Sequence, residues 1–244
     1  MKLAQIHWII ALLLSASSYA ASELLDQGNF TGGIILHVGS GDGQQTVELY
    51  QRDNSLVYGL DRDQAKVDQA RTHAYTKGVA GKVGFDHWTI PHLPFSENFV
   101  NLLICEDASL VSETECLRVL APKGVLFTRS DTGWTKRLKE RPTTIDDWPQ
   151  HFYSAGGNAV SKDKEIKPPL FHLQWTGGPR WSRHHDVMSS LTACVSAGGR
   201  LFYIFDEGAT FSPFLPSKWA LIARDAFNGT ILWKHPIPKW FPNL

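Results

Sequence analysis

Residues 35–43 read ILHVGSGDG, an apolar run followed by three glycines within five positions. An apolar run of this length predicts a short buried strand, and the glycines predict a tight turn after it. Glycine lacks a Cβ and adopts positive φ at little cost, so the backbone of such a turn can approach a ligand closely. The stretch therefore predicts a strand that leads into a ligand-binding turn.

Strand and helix patterns alternate on the carboxyl side of this stretch. After the first strand, further apolar runs predict strands at residues 56–60, 82–88, 100–105 and 125–128. Helices are predicted between them, at residues 44–52, 63–77 and 112–120. Asp63 is a suitable N-cap for the second helix, and Ser112-Glu113-Thr114-Glu115 has the pattern of a capping box for the third. This alternation predicts an α/β fold with a parallel sheet covered on both faces.

Asp61 ends the second predicted strand, 22 positions after Gly39. In parallel α/β sheets, ligands bind beyond the carboxyl ends of the strands, near the point where strand order reverses. An acid at that place can accept hydrogen bonds from both hydroxyls of a ribose. The spacing therefore predicts a nucleotide-type cofactor, either a dinucleotide or S-adenosylmethionine. A side chain filling the space between Gly41 and Asp61 would argue against a cofactor site.

Four segments resemble successive motifs of class I S-adenosylmethionine-dependent methyltransferases of the small-molecule (type 11) branch. They are ILHVGSGDG, VYGLDRDQAKVDQAR, LPFSENFVNLLIC and LRVLAPKGVLF. The resemblance implies a reduced Rossmann-like fold, S-adenosylmethionine as cofactor and methyl transfer to a small or unknown acceptor. It also implies that the cofactor is bound by Gly39, Ser40, Gly41, Gly43 and Asp61.

The chain departs from the family pattern at several positions. His37 stands where the family usually has an acid before the glycine turn. Thr89 stands where an acid commonly meets the adenine amino group, and Asp86 lies three residues away. Val100-Asn101 replaces the Phe-Asp pair of the fourth strand. Only five of the usual seven strands are predicted, and no acceptor-binding cap is found.

No residue is predicted to be catalytic. Methyl transfer depends mostly on positioning of the acceptor, and a general base is needed only if the acceptor must lose a proton. Glu106 and Asp107 follow the fourth strand, where the family often places acceptor-side groups, and His92 lies in a nearby loop. Each of the three is equally well explained as a solvated loop residue.

The first residues, MKLAQIHWIIALLLSASSYAAS, have the charged, apolar and small-residue regions of a secretory signal. Residues 1–21 are therefore predicted to be a signal peptide, with a buried first helix as the alternative. The apolar run is too short for a stable membrane span, which needs about 20 residues. Export to the periplasm or the extracellular space is the predicted localisation, and it conflicts with a cytosolic cofactor.

The second half of the chain has a different pattern, with frequent Trp, Gly and Pro. Predicted strands lie at residues 170–175, 191–195, 200–205, 219–224 and 230–234. The last four, with glycine-containing turns at 197–199 and 227–229, match one blade of a β-propeller, and residues 170–175 match a ring-closing strand. The predicted domains are thus a methyltransferase-like domain at 25–140, a linker at 141–169 and an incomplete propeller start at 170–244.

Residues 223–233, ARDAFNGTILW, resemble the tryptophan-docking motif of quinoprotein-type propellers. Gly229 gives a flat hairpin surface, Asp225 can tie the turn to the backbone, and Trp233 can stack across a blade boundary. An ordinary hairpin with a buried Trp is the alternative. The order of segments resembles large exported bacterial proteins of this composite type. Because the chain ends after one blade, pyrroloquinoline quinone is not predicted as its ligand, and partner strands or further blades are expected at the edge.

Composition excludes some partners and sites. Lys plus Arg and Asp plus Glu are both 24, so no net charge favours nucleic acid. The three cysteines are predicted to be small core residues, and no metal site is predicted, since adjacent residues such as His184-His185-Asp186 point to opposite sides of an extended chain. The alternatives to a methyltransferase are a non-catalytic exported binding or scaffold protein and a fragment of a quinone-dependent oxidoreductase-like propeller protein.

Overall fold

The protein is represented by a computed structural model that describes residues 21–130, 133–166, 169, 173–178, 191–209 and 215–238. It divides into two compact units, residues 1–140 and 141–244. The predicted signal peptide, except residue 21, and the candidate metal ligands at 184–186 lie outside the described residues. Among the described residues, no helix has the length and apolar character that crossing a membrane requires.

The first unit is a six-stranded sheet in the order β3-β2-β1-β4-β5-β6. Its strands are β1 Gly33–Val38, β2 Ser55–Asp61, β3 Val83–His87, β4 Val100–Cys105, β5 Leu120–Ser130 and β6 Gly133–Leu138. Its helices are α1 Gln44–Glu48, α2 Gln64–Thr76 and α3 Glu113–Val119. Strands β1 to β5 are parallel, and β6 is antiparallel to β5. Strand order reverses between β1 and β4, so the glycine turn after β1 lies at the switch point of the sheet.

Helices cover both faces of this sheet, as the alternating pattern predicts. All six residues of β1 are buried, which explains why its sequence is a continuous apolar run rather than an alternating one. Helix α2 buries Val67, Ala70 and Ala74 in one core, together with apolar residues of the helical segment 21–27. Helix α3 buries Cys116 and Val119 in the core on the other face. The predicted α/β fold is confirmed for this unit.

The helix caps agree with the sequence only in part. Asp63 is confirmed as the N-cap of α2, since its Oδ1 accepts from Ala65 N at 2.9 Å. Ser112 caps α3 by accepting from Glu115 N at 3.3 Å. The reciprocal half of the capping box is wrong, because the Glu115 carboxylate accepts from Leu93 N at 2.7 Å and from the Arg118 guanidinium. Glu115 thus ties the loop before β4 to helix α3.

Glu115→Gln is expected to lower the free energy of unfolding at pH 7 by about 1–3 kcal/mol, since it removes a carboxylate with charged hydrogen bonds. The hydrogen bond from Arg118, opposed in part by burial, lowers the pKa of Glu115 from 4.5 to about 2. This stabilisation is therefore complete above pH 4.5 and is lost as the pH falls towards 2. Urea unfolding at pH 7 and pH 3 should show the difference between wild type and variant shrinking at the lower pH. A constant difference would contradict this role.

The structure corrects the predicted strand inventory of the first unit. A sixth strand, β6, was missed, and β5 is longer than the predicted 125–128. The reason is that five of the six residues of β6 are exposed, so the strand carries no apolar signal. Helix α1 ends at Glu48, short of the predicted residue 52.

The second unit contains a four-stranded antiparallel sheet in the order β10-β9-β8-β7. Its strands are β7 Leu191–Ala197, β8 Arg200–Asp206, β9 Trp219–Asp225 and β10 Ile231–Pro236. These four strands are confirmed, and sequential neighbours pair throughout. Of the strand predicted at 170–175, only residues 173–175 are described, and they lie outside any strand.

The turn between β9 and β10 has the tight geometry that the sequence predicts. Gly229 has φ +73°, and a Cβ at this position would lie 2.5 Å from the Trp175 ring. The Trp175 indole donates to Ala226 O at 3.0 Å, and Asp225 Oδ1 accepts from Phe227 N and Asn228 N. The flat glycine surface is therefore covered by an indole, but the indole belongs to Trp175.

The three cysteines are free. Cys105 and Cys116 are buried in the first unit, as predicted, and burial raises the pKa of both thiols, that of Cys116 to about 12. Cys194 is only half-buried, so its prediction as a core residue is wrong.

Candidate cofactor-binding site

The glycine turn lies between β1 and α1 at the carboxyl edge of the sheet. Gly39, Gly41 and Gly43 have φ values of +82°, +57° and +81°, a region that other residues enter only at a cost. The turn is held against β2, because Gly39 N and Ser40 N both donate to Leu60 O, at 2.8 and 3.1 Å. Glycine occupies these three positions because the backbone of the turn has left-handed conformations there.

The three glycines have different surroundings. A Cβ on Gly43 would lie 2.6 Å from Ala70 Cβ, so this glycine permits close packing of the turn against α2. A Cβ on Gly39 would lie 3.0 Å from Leu110 Cδ1 and 3.1 Å from Glu106 Cβ. A Cβ on Gly41 would meet nothing within 4 Å. Gly41 is therefore the position of the turn with open space for a ligand.

Asp61, at the end of β2, is turned towards this open position. Its Oδ2 accepts from Gly41 N at 2.8 Å, and its Oδ1 accepts from Asp63 N at 2.9 Å. No side chain separates Gly41 from Asp61, because the two are directly hydrogen-bonded. A carboxylate has about four acceptor positions, so both oxygens keep the capacity to accept from further donors. The two backbone donors hold the carboxylate in one orientation at the edge of the turn.

Ser40 adds a polar group without a partner. Its side chain is buried, and Oγ has no hydrogen-bond partner among the described residues. A buried hydroxyl left unsatisfied costs about 1–3 kcal/mol, so such groups are usually explained by strain, water or a ligand. The open space at Gly41 and the oriented Asp61 carboxylate together fit a ligand that carries hydroxyl groups.

His37 and Glu106 form a second polar group beside the turn. His37 is 1% exposed, and its Nδ1 lies 2.8 Å from Thr46 Oγ1 while its Nε2 lies 3.2 Å from Glu106 Oε1. Arg129 Nη1 donates to Glu106 Oε2 at 2.8 Å. Burial raises the pKa of Glu106, but the hydrogen bonds from His37 and Arg129 outweigh it, so the pKa lies below its ordinary value. Glu106 is therefore an anion at neutral pH.

Of the three acceptor-side candidates, only Glu106 reaches the glycine turn. The Asp107 carboxylate accepts from Ser109 N at 2.8 Å within its own loop. The His92 side chain is 78% exposed and lies 3.7 Å from Glu115. Asp86, the displaced acid of the third strand, is hydrogen-bonded to Tyr58 and Arg71.

Arg62 is a residue of this edge that sequence reasoning missed. Its guanidinium lies 5.1 Å from the centre of the Trp88 ring and donates to Leu110 O at 2.7 Å. It therefore connects the end of β2 to the loop after β4. Its place directly after Asp61 could have indicated a role at this edge of the sheet. Its hydrogen-bond partner, Leu110, lies 48 residues away in sequence, so the contact itself could not be predicted.

A cavity of about 360 Å³ lies near the same edge, at the ends of β4 and β5. Its walls include Cys105 and Thr128, which are register partners, and Cys105 is in turn the register partner of Val38. Since Val38 directly precedes Gly39, the cavity lies about one strand away from the glycine turn.

Residues 35–124 match the family model described as a methyltransferase domain. The first unit thus has a Rossmann-like fold, and residues 35–124 within it are similar to a methyltransferase domain. No curated protein matches the chain.

Solved structures with similarity to the chain include two described as methyltransferases and one described as a cyclase. Geranyl diphosphate C-methyltransferase from Streptomyces coelicolor A3(2), in complex with S-adenosyl-L-homocysteine, is 23% identical with a TM-score of 0.45, over 49% of this chain and 48% of that one. A methyltransferase-like protein of Methanococcus maripaludis is 18% identical with a TM-score of 0.43, over 52% and 62%. The cyclase SpnF is 24% identical with a TM-score of 0.42, over 46% and 43%. The chain thus spans about half the length of these structures.

Proposed function

We propose that the first unit binds S-adenosylmethionine and transfers its methyl group to a small acceptor. The observation that carries the proposal is the Asp61 carboxylate, which two backbone donors orient beside the open space at Gly41. The match of residues 35–124 to a methyltransferase domain supports S-adenosylmethionine as the cofactor rather than a dinucleotide.

In this proposal Asp61 accepts hydrogen bonds from the ribose hydroxyls. Gly41 allows the backbone to approach because no Cβ occupies the space. The cofactor, when bound, supplies a methyl group already activated by its sulfonium. The protein then has to hold the acceptor in line, which is a positioning task.

The cavity beside Cys105 and Thr128 is the proposed place for the acceptor. Its volume of about 360 Å³ suits a small molecule, and it lies close to the glycine turn. Its polar lining groups include Thr135 and the ion pair of Arg137 with Glu113.

The second unit is proposed to be the start of a quinoprotein-like β-propeller, and export of the protein by a signal peptide stays a prediction. The support for the first is the four-stranded antiparallel sheet together with the indole packed on Gly229. Trp233, predicted to stack across a blade boundary, is 44% exposed.

The test is calorimetric titration of S-adenosylmethionine and S-adenosylhomocysteine into the full chain. We expect dissociation constants of about 1–100 μM, equivalent to roughly −8 to −5.5 kcal/mol. NADH in place of the methyl donor should give no heat of binding. If a folded protein binds neither adenosyl compound, the first unit is a scaffold and the proposed function is wrong.

A further inference from the structure

The glycine turn is flanked by carboxylates from both neighbouring strands. On the β2 side, Asp61 Oδ2 lies 2.8 Å from Gly41 N. On the β4 side, the Cβ and Cγ of Glu106 would lie 3.1 and 3.7 Å from a Cβ placed on Gly39. The proposed function uses only the first of these carboxylates, so the second has no assigned role.

Glu106 is paired with a cation that is open to solvent. The Glu106 side chain is 17% exposed and that of Arg129 is 60% exposed, with 2.8 Å between Oε2 and Nη1. Sheet register explains the pairing, because Cys105 and Thr128 are partners and each directly precedes one member of the pair. The carboxyl ends of β4 and β5 thus present a negative and a positive charge side by side, next to the turn.

We infer that Glu106 and Arg129 bind the α-amino acid end of the cofactor, Glu106 the ammonium and Arg129 the carboxylate. The inference rests on the proposed function and extends it. An α-amino acid carries its two opposite charges on one carbon, and an adjacent carboxylate–guanidinium pair is complementary to it. The ligand defined by the whole edge is then a nucleoside joined to an amino acid, with the ribose at Asp61 and the amino acid at Glu106.

Both side chains keep unused hydrogen-bonding capacity for this task. A guanidinium has five N–H donors, and the bond to Glu106 uses one of them. The Glu106 carboxylate accepts from Arg129 and contacts His37, so acceptor positions are left on both oxygens. Charge-assisted bonds of this kind are roughly twice as strong as neutral ones.

His37 is a positioning residue in this arrangement. If its Nε2 donates to Glu106, its Nδ1 accepts from the buried hydroxyl of Thr46, which fixes the ring in one tautomer. Both partners hold the imidazole rigidly beneath the turn, and the imidazole in turn fixes the Glu106 carboxylate. The anionic group beside Gly39 is therefore supplied by β4 rather than by residue 37.

A purely structural ion pair between β4 and β5 is the competing explanation, and a truncated ligand separates the two. S-adenosylhomocysteine carries the amino acid end, whereas 5′-methylthioadenosine has the same nucleoside and thioether without it. Both compounds are titrated calorimetrically into full-length wild type, Glu106→Gln and Arg129→Gln. Arg71→Gln is the matched control, since Arg71 also pairs with a carboxylate, at 2.7 Å from Asp86, and is 49% exposed.

We expect each site variant to weaken the binding of S-adenosylhomocysteine by about 10-fold or more, the loss of a charged hydrogen bond, while methylthioadenosine changes less than about 3-fold. Arg71→Gln should leave both affinities unchanged. Equal losses for the two ligands, or no loss for either, would overturn the inference while leaving the proposed function intact. Failure of wild type to bind either ligand would reject the proposed function itself, and the inference with it.

Discussion

Asp61→Ala is expected to weaken the binding of S-adenosylhomocysteine by about 100-fold or more. Two hydrogen bonds from ribose hydroxyls to a carboxylate are each worth about 1.5–3 kcal/mol, so losing both removes at least about 3 kcal/mol. The variant also frees Gly41 N and Asp63 N from the carboxylate that orients this end of the turn. Calorimetric titration of the full chain measures the loss directly.

Asp63→Ala is the matched control for this experiment. Asp63 lies two residues further along, and its side chain caps α2 through Ala65 N. Its replacement should cost about 0.5–2 kcal/mol of stability and leave the affinity unchanged. If Asp63→Ala lost binding as strongly as Asp61→Ala, the effect would come from the integrity of α2 and not from ribose recognition.

Gly43→Ala is expected to destabilise the first unit by about 2–5 kcal/mol. The new Cβ would lie 2.6 Å from Ala70 Cβ and 2.9 Å from its Cα, and φ at this position is +81°. Overpacking of this kind costs about 1–3 kcal/mol, and the left-handed conformation of alanine adds about 1–2 kcal/mol. Urea unfolding followed by circular dichroism, with hydrogen exchange in α2, measures the change.

Gly41→Ala should lower the affinity for the cofactor while costing the fold less stability than Gly43→Ala does. Its Cβ meets no atom within 4 Å, so only the conformational cost of φ +57° remains, about 1–2 kcal/mol. The same Cβ enters the space proposed for the cofactor, so the affinity for S-adenosylhomocysteine should fall by about 10-fold or more, roughly 1.4 kcal/mol. Similar stability losses in the two variants, or unchanged affinity in Gly41→Ala, would contradict the different roles assigned to these glycines.

The parts of the molecule that the sequence predicts well are made of residues that lie close together along the chain. The apolar run of β1 and the glycines after it are contiguous, and Asp61 ends the next strand, so one βαβ unit is enough to place them at one edge. Parallel pairing of β1 with β2 brings Leu60 beside Val38 and so brings Asp61 to the turn. The cofactor role of Gly39, Ser40, Gly41, Gly43 and Asp61 stays a prediction until binding is measured.

The parts that the sequence did not predict depend on register between distant strands. Glu106 and Arg129 are 23 residues apart, and only the alignment of Cys105 with Thr128 makes them neighbours. A lone Glu after a strand has no pattern that distinguishes it from a solvated residue. Arg62 has the same difficulty, since its partner is a backbone carbonyl of a loop. Strand β6 was missed because its mostly exposed residues give no hydrophobic period.

The polar sequence of β6 also has a consequence for how the protein behaves at high concentration. As the last strand of its sheet, β6 has one side without a strand partner among the described residues, and such sides can recruit strands from other molecules. Lys136 and Arg137 lie in the middle of this strand, where long charged side chains oppose the approach of a second chain. The feature that hid β6 from hydrophobic pattern recognition is thus the one that protects the sheet from edge-to-edge aggregation.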